Sequence, residues 1–177
     1  RLDLFKSDLC QTRQQEKSPL ISNNVTRLLD SKKVQYTGFE LPVEKLGAVE
    51  TADFLNIAPT LVFKSIVVVR PKGKPLLCVI PGDHIVDLKA VAALVNEKKV
   101  NIPTQDDAEA MTGLQAGGIS PLALINKGFT TILDQAALEY KEIYISGGQR
   151  GLILRLAPQD LQKLTNARFA TVSVNKG

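Results

Sequence analysis

The sequence contains few of the residues that build metal sites and disulfide frameworks. Its 177 residues include one histidine, two cysteines and no tryptophan. A single histidine excludes the zinc sites and HExxH enzymes that need at least two. Cys10 and Cys78 lie far apart and form no CxxC pair, which excludes a metal knuckle and a disulfide framework and favours a reducing, cytoplasmic compartment. We therefore expect neither a metal nor another cofactor.

The sequence also lacks an apolar run long enough to cross a membrane. Its longest uncharged segment, residues 111–126, contains three glycines and a proline, so we expect no membrane span. With 44% hydrophobic and 23% charged residues, the composition is typical of one soluble globular domain. The net charge of +4 favours anionic partners. Because the chain starts at Arg1 rather than at methionine, we expect a processed chain or one domain of a longer protein.

The order of the sequence patterns predicts a single mixed α/β domain. Residues 1–20 are polar and predict an N-terminal extension, followed by a domain over residues 21–177. Strands and helices alternate without a strict βαβ repeat, which favours a central, mixed and largely antiparallel sheet flanked by helices. The predicted strands are 34–41, 61–70, 75–80, 130–133, a hairpin over 142–156 and a last strand over 169–174. Three helices are predicted to start after caps at residue 23 or 24, at Asp87 and at Thr104. Two more are predicted over residues 49–57 and 135–140, and a final helix starts near Pro158.

Lys64 is the first candidate site residue, because it is a charge within the strongest strand pattern. Val or Ile occupies five of the ten positions of LVFKSIVVVR, residues 61–70. Strand alternation puts Lys64 on one face with Val62, Ile66 and Val68. Burying an ammonium without a partner is costly, so the position needs an anion, such as a phosphate or a developing oxyanion, or an opening to water. A lysine that reaches solvent past its neighbours fits the same pattern equally well.

A glycine-rich loop, TGLQAGGISP over residues 112–121, is the second candidate. Gly117 and Gly118 lack Cβ atoms, so backbone amides can approach a ligand closely and hold an anion, and Ser120 adds a hydroxyl before Pro121. The loop is not a P-loop, because no Gly-Lys-Ser/Thr follows. From composition alone, a connecting loop without a ligand is the more common case.

Two further features carry weaker signals. The segment SGGQRG, residues 146–151, matches a plain hairpin turn, from which Arg150 can reach a phosphate or solvent. His84 precedes a predicted helix cap and is typical of a surface or capping residue. Since no GxSxG elbow supplies a serine nucleophile, a serine triad built on His84 is excluded.

Three segments of the sequence, taken in order, resemble the YbaK/EbsC family. They are VFKSIVVV, then KKVNIPTQDDAEAMTGLQAGGISPL, then EIYISGGQRGLILRLAPQDL. Members of this family are free-standing relatives of the editing domain inserted in bacterial prolyl-tRNA synthetases. The resemblance runs from about Asn23 to Val174, nearly the whole predicted domain, and its last two segments are typical of the YbaK branch.

This resemblance implies hydrolysis of a mischarged aminoacyl-tRNA, with Cys-tRNA(Pro) as the expected substrate. The family's essential lysine corresponds to Lys64. The family usually has a tyrosine that faces the pocket from the early strand, and the nearest candidates here are Phe39, which lacks the hydroxyl, and Tyr36, which is offset along the strand. The other pocket residues that the resemblance implies are Gly117, Gly118, Ile119, Ser120, Pro121, Ser146 and Gly147.

The chemistry of these residues is compatible with ester hydrolysis. Backbone amides stabilise the oxyanion of a tetrahedral intermediate, and a lysine suits the ribose and phosphates of a tRNA end. The sequence offers no clear nucleophile or histidine base, which fits the family's substrate-assisted scheme. In that scheme the thiol or ribose hydroxyl of the substrate, or a positioned water, attacks the carbonyl. The partners implied are the aminoacylated 3′ end of tRNA and prolyl-tRNA synthetase.

Three alternatives stay open at this point. The protein could be a non-catalytic regulator that binds tRNA or another nucleic acid, an editing domain of the same fold specific for Ala or Ser, or a domain appended to a synthetase. The basic surplus favours contact with RNA, but the sequence contains no stacked-aromatic RNA motif and no helix-turn-helix signature. Ala123, where the family commonly has glycine, bears on which amino acid is removed.

Overall fold

A computed structural model describes residues 21–176, and the extension predicted for residues 1–20 lies outside the described residues. The described part contains five α-helices and nine strands in the predicted alternation. The α-helices are α1 (Asn24–Ser31), α2 (Ala48–Leu55), α3 (Leu88–Leu94), α4 (Gln105–Thr112) and α5 (Pro158–Thr165), with 3₁₀ helices at Pro59–Leu61, Pro121–Leu124 and Gln135–Glu139. The strands are β1 (Tyr36–Glu40), β2 (Phe63–Val68), β3 (Leu76–Pro81), β4 (His84–Val86), β5 (Thr130–Asp134), β6 (Ile143–Ser146), β7 (Leu152–Leu156), β8 (Arg168–Ala170) and β9 (Ser173–Asn175).

The strands of the described residues form three sheets. The first sheet, in the order β1–β7–β6, is antiparallel, the second, β2–β3–β5–β8, is mixed, and the third pairs β4 with β9. The mixed, largely antiparallel α/β class is therefore confirmed. The division into three sheets corrects the expectation of one central sheet. An isolated parallel bridge between Val62 and Tyr144 joins the first sheet to the start of β2.

The last predicted strand, residues 169–174, is in fact two strands that belong to different sheets. β8 runs parallel to β5, whereas β9 pairs with β4, a short strand that the sequence did not predict. The carboxylate of Asp134 accounts for the break. Its Oδ2 accepts hydrogen bonds from the N–H of Val172 at 3.1 Å and from the hydroxyl of Ser173 at 2.7 Å. These bonds hold the segment after β8 at the end of β5 through a side chain, where the backbone ladder between β5 and β8 has stopped.

Local signals at the helix ends formed as predicted. Asn23 caps α1 through a capping box with Thr26, Asp87 caps α3 and Thr104 caps α4, each through its side-chain oxygen. Such caps satisfy backbone N–H groups that have no partner within the helix. They fix where each helix starts, and therefore which residues the preceding loops present.

Three apolar clusters hold the sheets. The first lies between the first sheet and helices α1 and α5, and the second packs α3 on the second sheet. The third and smallest joins Val67 of β2 and Leu77 of β3 to Leu124. Strand β3 is buried along its whole length, whereas its neighbour β2 is only partly covered. The partly covered side of β2 is where the candidate site lies. None of the helices in residues 21–176 combines the length and apolar character needed to span a lipid bilayer.

Candidate active site

A cavity of about 510 Å³ opens beside β2. Its other walls are the segment from residue 45 into α2, the start of α4, the glycine-rich loop and the facing parts of β6 and β7. A cavity of this size is typical of small-molecule sites. Of the predicted site residues, Lys64, Gly117, Ile119 and Ser146 line it. The structure thus brings together all three segments that the sequence singled out.

The free edge of β2 is a feature of the site that sequence analysis missed. β2 is the outer strand of its sheet, with β3 as its neighbour. Just beyond its end, Val69 exchanges two backbone hydrogen bonds with Asn101, on the side away from β3. Because backbone groups alternate in direction along a strand, the N–H groups of Ser65 and Val67 also point away from β3. Both residues line the cavity, so this edge presents backbone donors to it.

Lys64 extends from β2 to the turn between β3 and β4. Its Nζ donates a hydrogen bond to the carbonyl oxygen of Gly82 at 3.2 Å. Burial lowers the pKa of Lys64, the nearby charge of Lys176 lowers it further, and Asp83 raises it. The ammonium is therefore half-buried, with a neutral hydrogen-bond acceptor and a second cation close by. An anion bound at this point would offset the cost of burial.

The turn that receives Lys64 has no room for a side chain at Gly82. A Cβ atom there would lie 2.7 Å from the Cβ of Ala48 and 2.9 Å from the carbonyl oxygen of Val62. Gly82 is thus held between α2 and the start of β2. His84, two residues further on, was the candidate noted from the sequence, but Gly82 is the residue of this turn that accepts the hydrogen bond of Lys64.

The two adjacent glycines of the glycine-rich loop have different roles. Gly117 lines the cavity with a φ of +87°, a conformation that is strained for residues with a Cβ. Gly118 instead packs against the β6–β7 turn, where a Cβ would lie 2.9 Å from the Cα of Gln149. Its N–H donates to the carbonyl of Gln115 at 2.8 Å. The expectation that both glycines offer amides to a ligand is therefore wrong for Gly118, whose amide is used within the loop.

Ser120 and Pro121 lie behind the wall of the cavity. Ser120 is fully buried, and its Oγ accepts a hydrogen bond from the N–H of Leu122 at 3.3 Å, which caps the 3₁₀ helix that Pro121 begins. Pro121 is buried as well. The expectation that these two residues touch a ligand is corrected, because they fix the shape of the loop from behind.

The β6–β7 turn contributes Ser146 to the cavity and braces the glycine-rich loop. Gly147 does not line the cavity. Glycine is needed there because of packing, since a Cβ atom would lie 2.5 Å from the Cγ of Leu152. Arg150 donates from Nε to the carbonyl of Ala116 at 2.7 Å. Arg150 therefore ties the turn to the loop, a role that the sequence did not predict.

Phe39 lies beside the cavity rather than in its lining, which corrects the expectation that it faces the pocket. In the antiparallel register Phe39 stands opposite Ile153, and Ile153 stands opposite Ser146. Directly opposed side chains lie on the same face of a sheet. Ile153 and Ser146 line the cavity, so Phe39 continues their row on the adjoining part of that face. Its ring contacts Tyr144 there, with centroids 5.6 Å apart.

His84 and Cys78 lie outside the lining of the cavity. The Nδ1 of His84 is 2.9 Å from the hydroxyl oxygen of Ser173, so the histidine joins β4 to β9. Cys78 is fully buried, and burial raises the pKa of its thiol to about 12, which leaves it protonated and unreactive. Among residues 21–176 no three His, Cys, Asp or Glu side chains come together in a metal-binding arrangement.

Several polar side chains of the cavity were not predicted from the sequence. No chemical signal in the sequence distinguished them, so only the fold brings them together, and Lys45 donates a hydrogen bond to Gln105. These side chains are Lys45, Glu50, Thr51, Ser65 and Gln105.

A family model described as the aminoacyl-tRNA editing domain matches residues 44–164, a range that contains every wall of the cavity. The chain belongs to this family. The match confirms the resemblance to the YbaK/EbsC family, and with it the expected class of enzyme, an aminoacyl-tRNA hydrolase.

Relatives of this editing domain agree with the assignment. The EbsC protein of Enterococcus faecalis, named as a candidate Cys-tRNA(Pro)/Cys-tRNA(Cys) deacylase, is 36% identical over 155 residues, which are 86% of this chain and 94% of that protein. The crystal structure of a candidate trans-editing enzyme for prolyl-tRNA synthetase matches with a TM-score of 0.70 at 26% identity, over 89% of this chain and 99% of that one. A hypothetical protein of known crystal structure shares the fold, with a TM-score of 0.79 at 23% identity over 86% and 100% of the two chains.

Proposed function

We propose that this editing domain hydrolyses Cys-tRNA(Pro), acting in trans beside prolyl-tRNA synthetase. The observation that carries the proposal is the meeting of Lys64 and the free edge of β2 in one cavity. The names given to the Enterococcus faecalis protein and to the trans-editing enzyme support the substrate and the partner. The ester to be broken joins the amino acid to the terminal ribose of the tRNA.

Lys64 holds the 3′ end of the tRNA. An ammonium has three donors, and one of them is used by the carbonyl of Gly82. The other two can reach ribose or phosphate oxygens of the substrate. Binding an anion here is favourable because its charge offsets the cost of burying the ammonium, and it is this burial that lowers the pKa of Lys64. In this scheme Lys64 binds and orients, and it does not attack the ester.

Backbone amides stabilise the negative charge that forms on the carbonyl oxygen of the ester. Attack on the carbonyl gives a tetrahedral oxyanion, and preorganised N–H donors lower its energy, each contributing about 10²- to 10³-fold in rate. Ser65 lies on the free edge of β2, where its N–H points away from β3, and Gly117 also belongs to the lining of the cavity. These two segments are the proposed source of the donors.

The attacking group comes from the substrate or from water. Within residues 21–176 the lining of the cavity includes no histidine and no cysteine, and a serine hydroxyl without a base is a weak nucleophile. Either a water positioned by the free hydroxyl of the terminal ribose adds to the carbonyl, or the thiol of the cysteinyl group adds to it and forms a thiolactone that water then opens. In both cases the bond to the esterified ribose oxygen breaks, and that oxygen takes the proton that the attacking water or thiol gives up. Holding the groups together contributes several kcal/mol of the required rate enhancement, by order of magnitude.

Deacylation of four substrates tests this proposal: Cys-, Ala-, Ser- and Pro-tRNA(Pro), with the wild-type protein and with Lys64→Ala. We expect hydrolysis of Cys-tRNA(Pro) in preference to the other three, and its loss in Lys64→Ala. Lys89→Ala is the matched control, because Lys89 is exposed on α3, away from the cavity.

Each other outcome of the panel contradicts a definite part of the proposal. Preference for Ala-tRNA(Pro) or Ser-tRNA(Pro) would keep the chemistry and overturn the substrate. Full activity of Lys64→Ala would overturn the role of the lysine. If the wild-type protein bound tRNA and hydrolysed none of the four, a non-catalytic binding protein would be the better account.

A further inference from the structure

The outer face of the first sheet carries two rows of side chains next to the cavity. In the inner row Ser146, Ile153 and Phe39 stand side by side across β6, β7 and β1. Ser146 and Ile153 line the cavity, and Phe39 lies next to them at its margin. Among the described residues, the inner row therefore leads from the cavity onto a partly exposed face of the sheet.

The outer row lies two residues further along the strands, about 7 Å from the inner row. It consists of Tyr144, Arg155 and Thr37, which are directly opposed across the same three strands. All three are partly exposed. The alternate residues of these strands point to the opposite face and build the core, among them Leu154 and Ile145. One face of the first sheet therefore packs into the core, whereas the face that carries the two rows is partly exposed and includes polar and aromatic side chains.

An arginine and two aromatic rings are held together on this outer face. The guanidinium carbon of Arg155 lies 5.5 Å from the ring centroid of Phe39, and the rings of Phe39 and Tyr144 are tilted by 41° at 5.6 Å. Arg155 also donates from Nη2 to the hydroxyl of Thr37 at 3.1 Å, and its Nε lies 3.6 Å from a carboxylate oxygen of Glu142. These contacts hold the cation in one orientation before any ligand arrives.

Aromatic rings and an arginine on an open sheet face are the chemistry that binds single-stranded RNA. Bases stack on aromatic rings and on guanidinium planes, and the arginine also attracts phosphates. We propose that the face formed by Thr37, Phe39, Tyr144 and Arg155 binds the unpaired nucleotides that precede the aminoacylated nucleotide. This inference rests on the proposed function, which places the aminoacylated 3′ end of the tRNA in the cavity. Its support is that the face is continuous with the cavity and holds an arginine beside two aromatic rings.

The first test compares a full substrate with a minimal one. Cysteinyl-tRNA reaches both the cavity and the face, whereas cysteinyl-adenosine fills only the cavity. Stacking of a base contributes about 1–3 kcal/mol, so we expect Phe39→Leu and Tyr144→Leu each to lower kcat/KM for the tRNA by about 5- to 150-fold. The same variants should hydrolyse cysteinyl-adenosine within about twofold of the wild-type rate. Phe54→Leu is the matched control, since Phe54 is 57% exposed on α2 and outside the face.

The second test measures binding without any reaction. An RNA hairpin with a short single-stranded 3′ tail is compared by fluorescence anisotropy with the same hairpin made blunt. We expect tighter binding of the tailed RNA by the wild-type protein, and loss of that difference in Phe39→Leu. Arg155→Gln removes one phosphate contact, so we expect the slope of log K against log salt concentration to fall in magnitude by about 0.7. Arg155→Lys should restore this slope, because it keeps the charge, but not the stacking of a guanidinium plane on a base.

The outcomes separate this inference from the proposed function. Equal losses on cysteinyl-tRNA and cysteinyl-adenosine would overturn it, because the face would then only support the wall of the cavity. Wild-type rates and wild-type tail binding in Phe39→Leu and Tyr144→Leu would overturn it as well. If no substrate were hydrolysed while tail binding still depended on Phe39, the proposed function would fail and this inference would stand.

Discussion

The ammonium of Lys64 donates to the carbonyl oxygen of Gly82 across 3.2 Å, which ties the charge of the cavity to the β3–β4 turn. Packing fixes this turn, because Gly82 contacts Ala48 and the backbone of Val62. The position of the cation therefore depends on the β3–β4 turn and on the residues that pack against it. Three of the predictions below follow from this relationship or from its surroundings.

Replacing Gly82 by alanine should disturb both stability and activity. The new Cβ would lie within 2.7 Å of the Cβ of Ala48, so α2 or the turn must move, and overpacking of this kind costs about 1–3 kcal/mol. We expect a lower urea midpoint and slower deacylation of Cys-tRNA(Pro). Gly128→Ala is the control, because nothing lies within 4 Å of a Cβ there and only the strain of its positive φ is added. Wild-type activity in Gly82→Ala would show that the turn does not position Lys64.

Replacing Lys64 by methionine should stabilise the fold at neutral pH. Since burial lowers the pKa of Lys64 from 10.5, the unfolded chain binds this proton more tightly than the folded protein. The charged form therefore opposes folding below the lowered pKa, and stability rises with pH between that value and 10.5. We expect Lys64→Met to have the higher urea midpoint at pH 7, and the difference to shrink as the pH rises toward about 10. A difference that is constant with pH, or the same in Lys89→Met, would contradict this explanation.

Replacing Asp134 by asparagine should loosen the junction of the second and third sheets. The buried carboxylate accepts from the N–H groups of Val172 and Ala136 and from the hydroxyl of Ser173. An amide NH₂ would face a donor at one of these positions, and losing a hydrogen bond to a charged group costs about 1.5–3 kcal/mol. We expect a drop of that size in the free energy of unfolding, measured in urea. Asp53→Asn, at an exposed position of α2, should change it by much less.

The thiol of Cys78 should resist alkylation in the native protein. It is fully buried, and a pKa of about 12 leaves almost no thiolate at pH 8. In a Cys10→Ser background, iodoacetamide should label Cys78 only in denaturant. Rapid labelling of the native protein would reopen the assignment of the nucleophile, because an accessible thiolate would then be present next to β2.

The sequence predicted what local chemistry determines. The run of β-branched residues from residue 61 marked β2, and Asn23, Asp87 and Thr104 marked three helix starts, because propensities and caps act over a few residues. Lys64 was found because a charge interrupts an aliphatic run. None of these inferences required knowledge of a distant contact.

The features that the sequence did not predict depend on distant contacts. Strands β4 and β9 are three residues each, and their pairing joins segments far apart in the chain. Gly118 had the same sequence signal as Gly117, but the backbone of the hairpin turn decides that one packs and the other lines the cavity. Whether β2 is an edge strand is likewise decided by the arrangement of the sheet, and that arrangement supplies the proposed amide donors.

The central claim is that Lys64 is required for hydrolysis at this cavity, and one rate measurement tests it most directly. Single-turnover hydrolysis of Cys-tRNA(Pro) is measured for the wild-type protein, Lys64→Ala and Lys89→Ala, with urea unfolding of each. We predict a rate for Lys64→Ala at least about 100-fold below wild type, the scale of one lost preorganised charge contact, with its fold intact and Lys89→Ala unchanged. A folded Lys64→Ala protein that hydrolyses Cys-tRNA(Pro) at the wild-type rate would contradict the account.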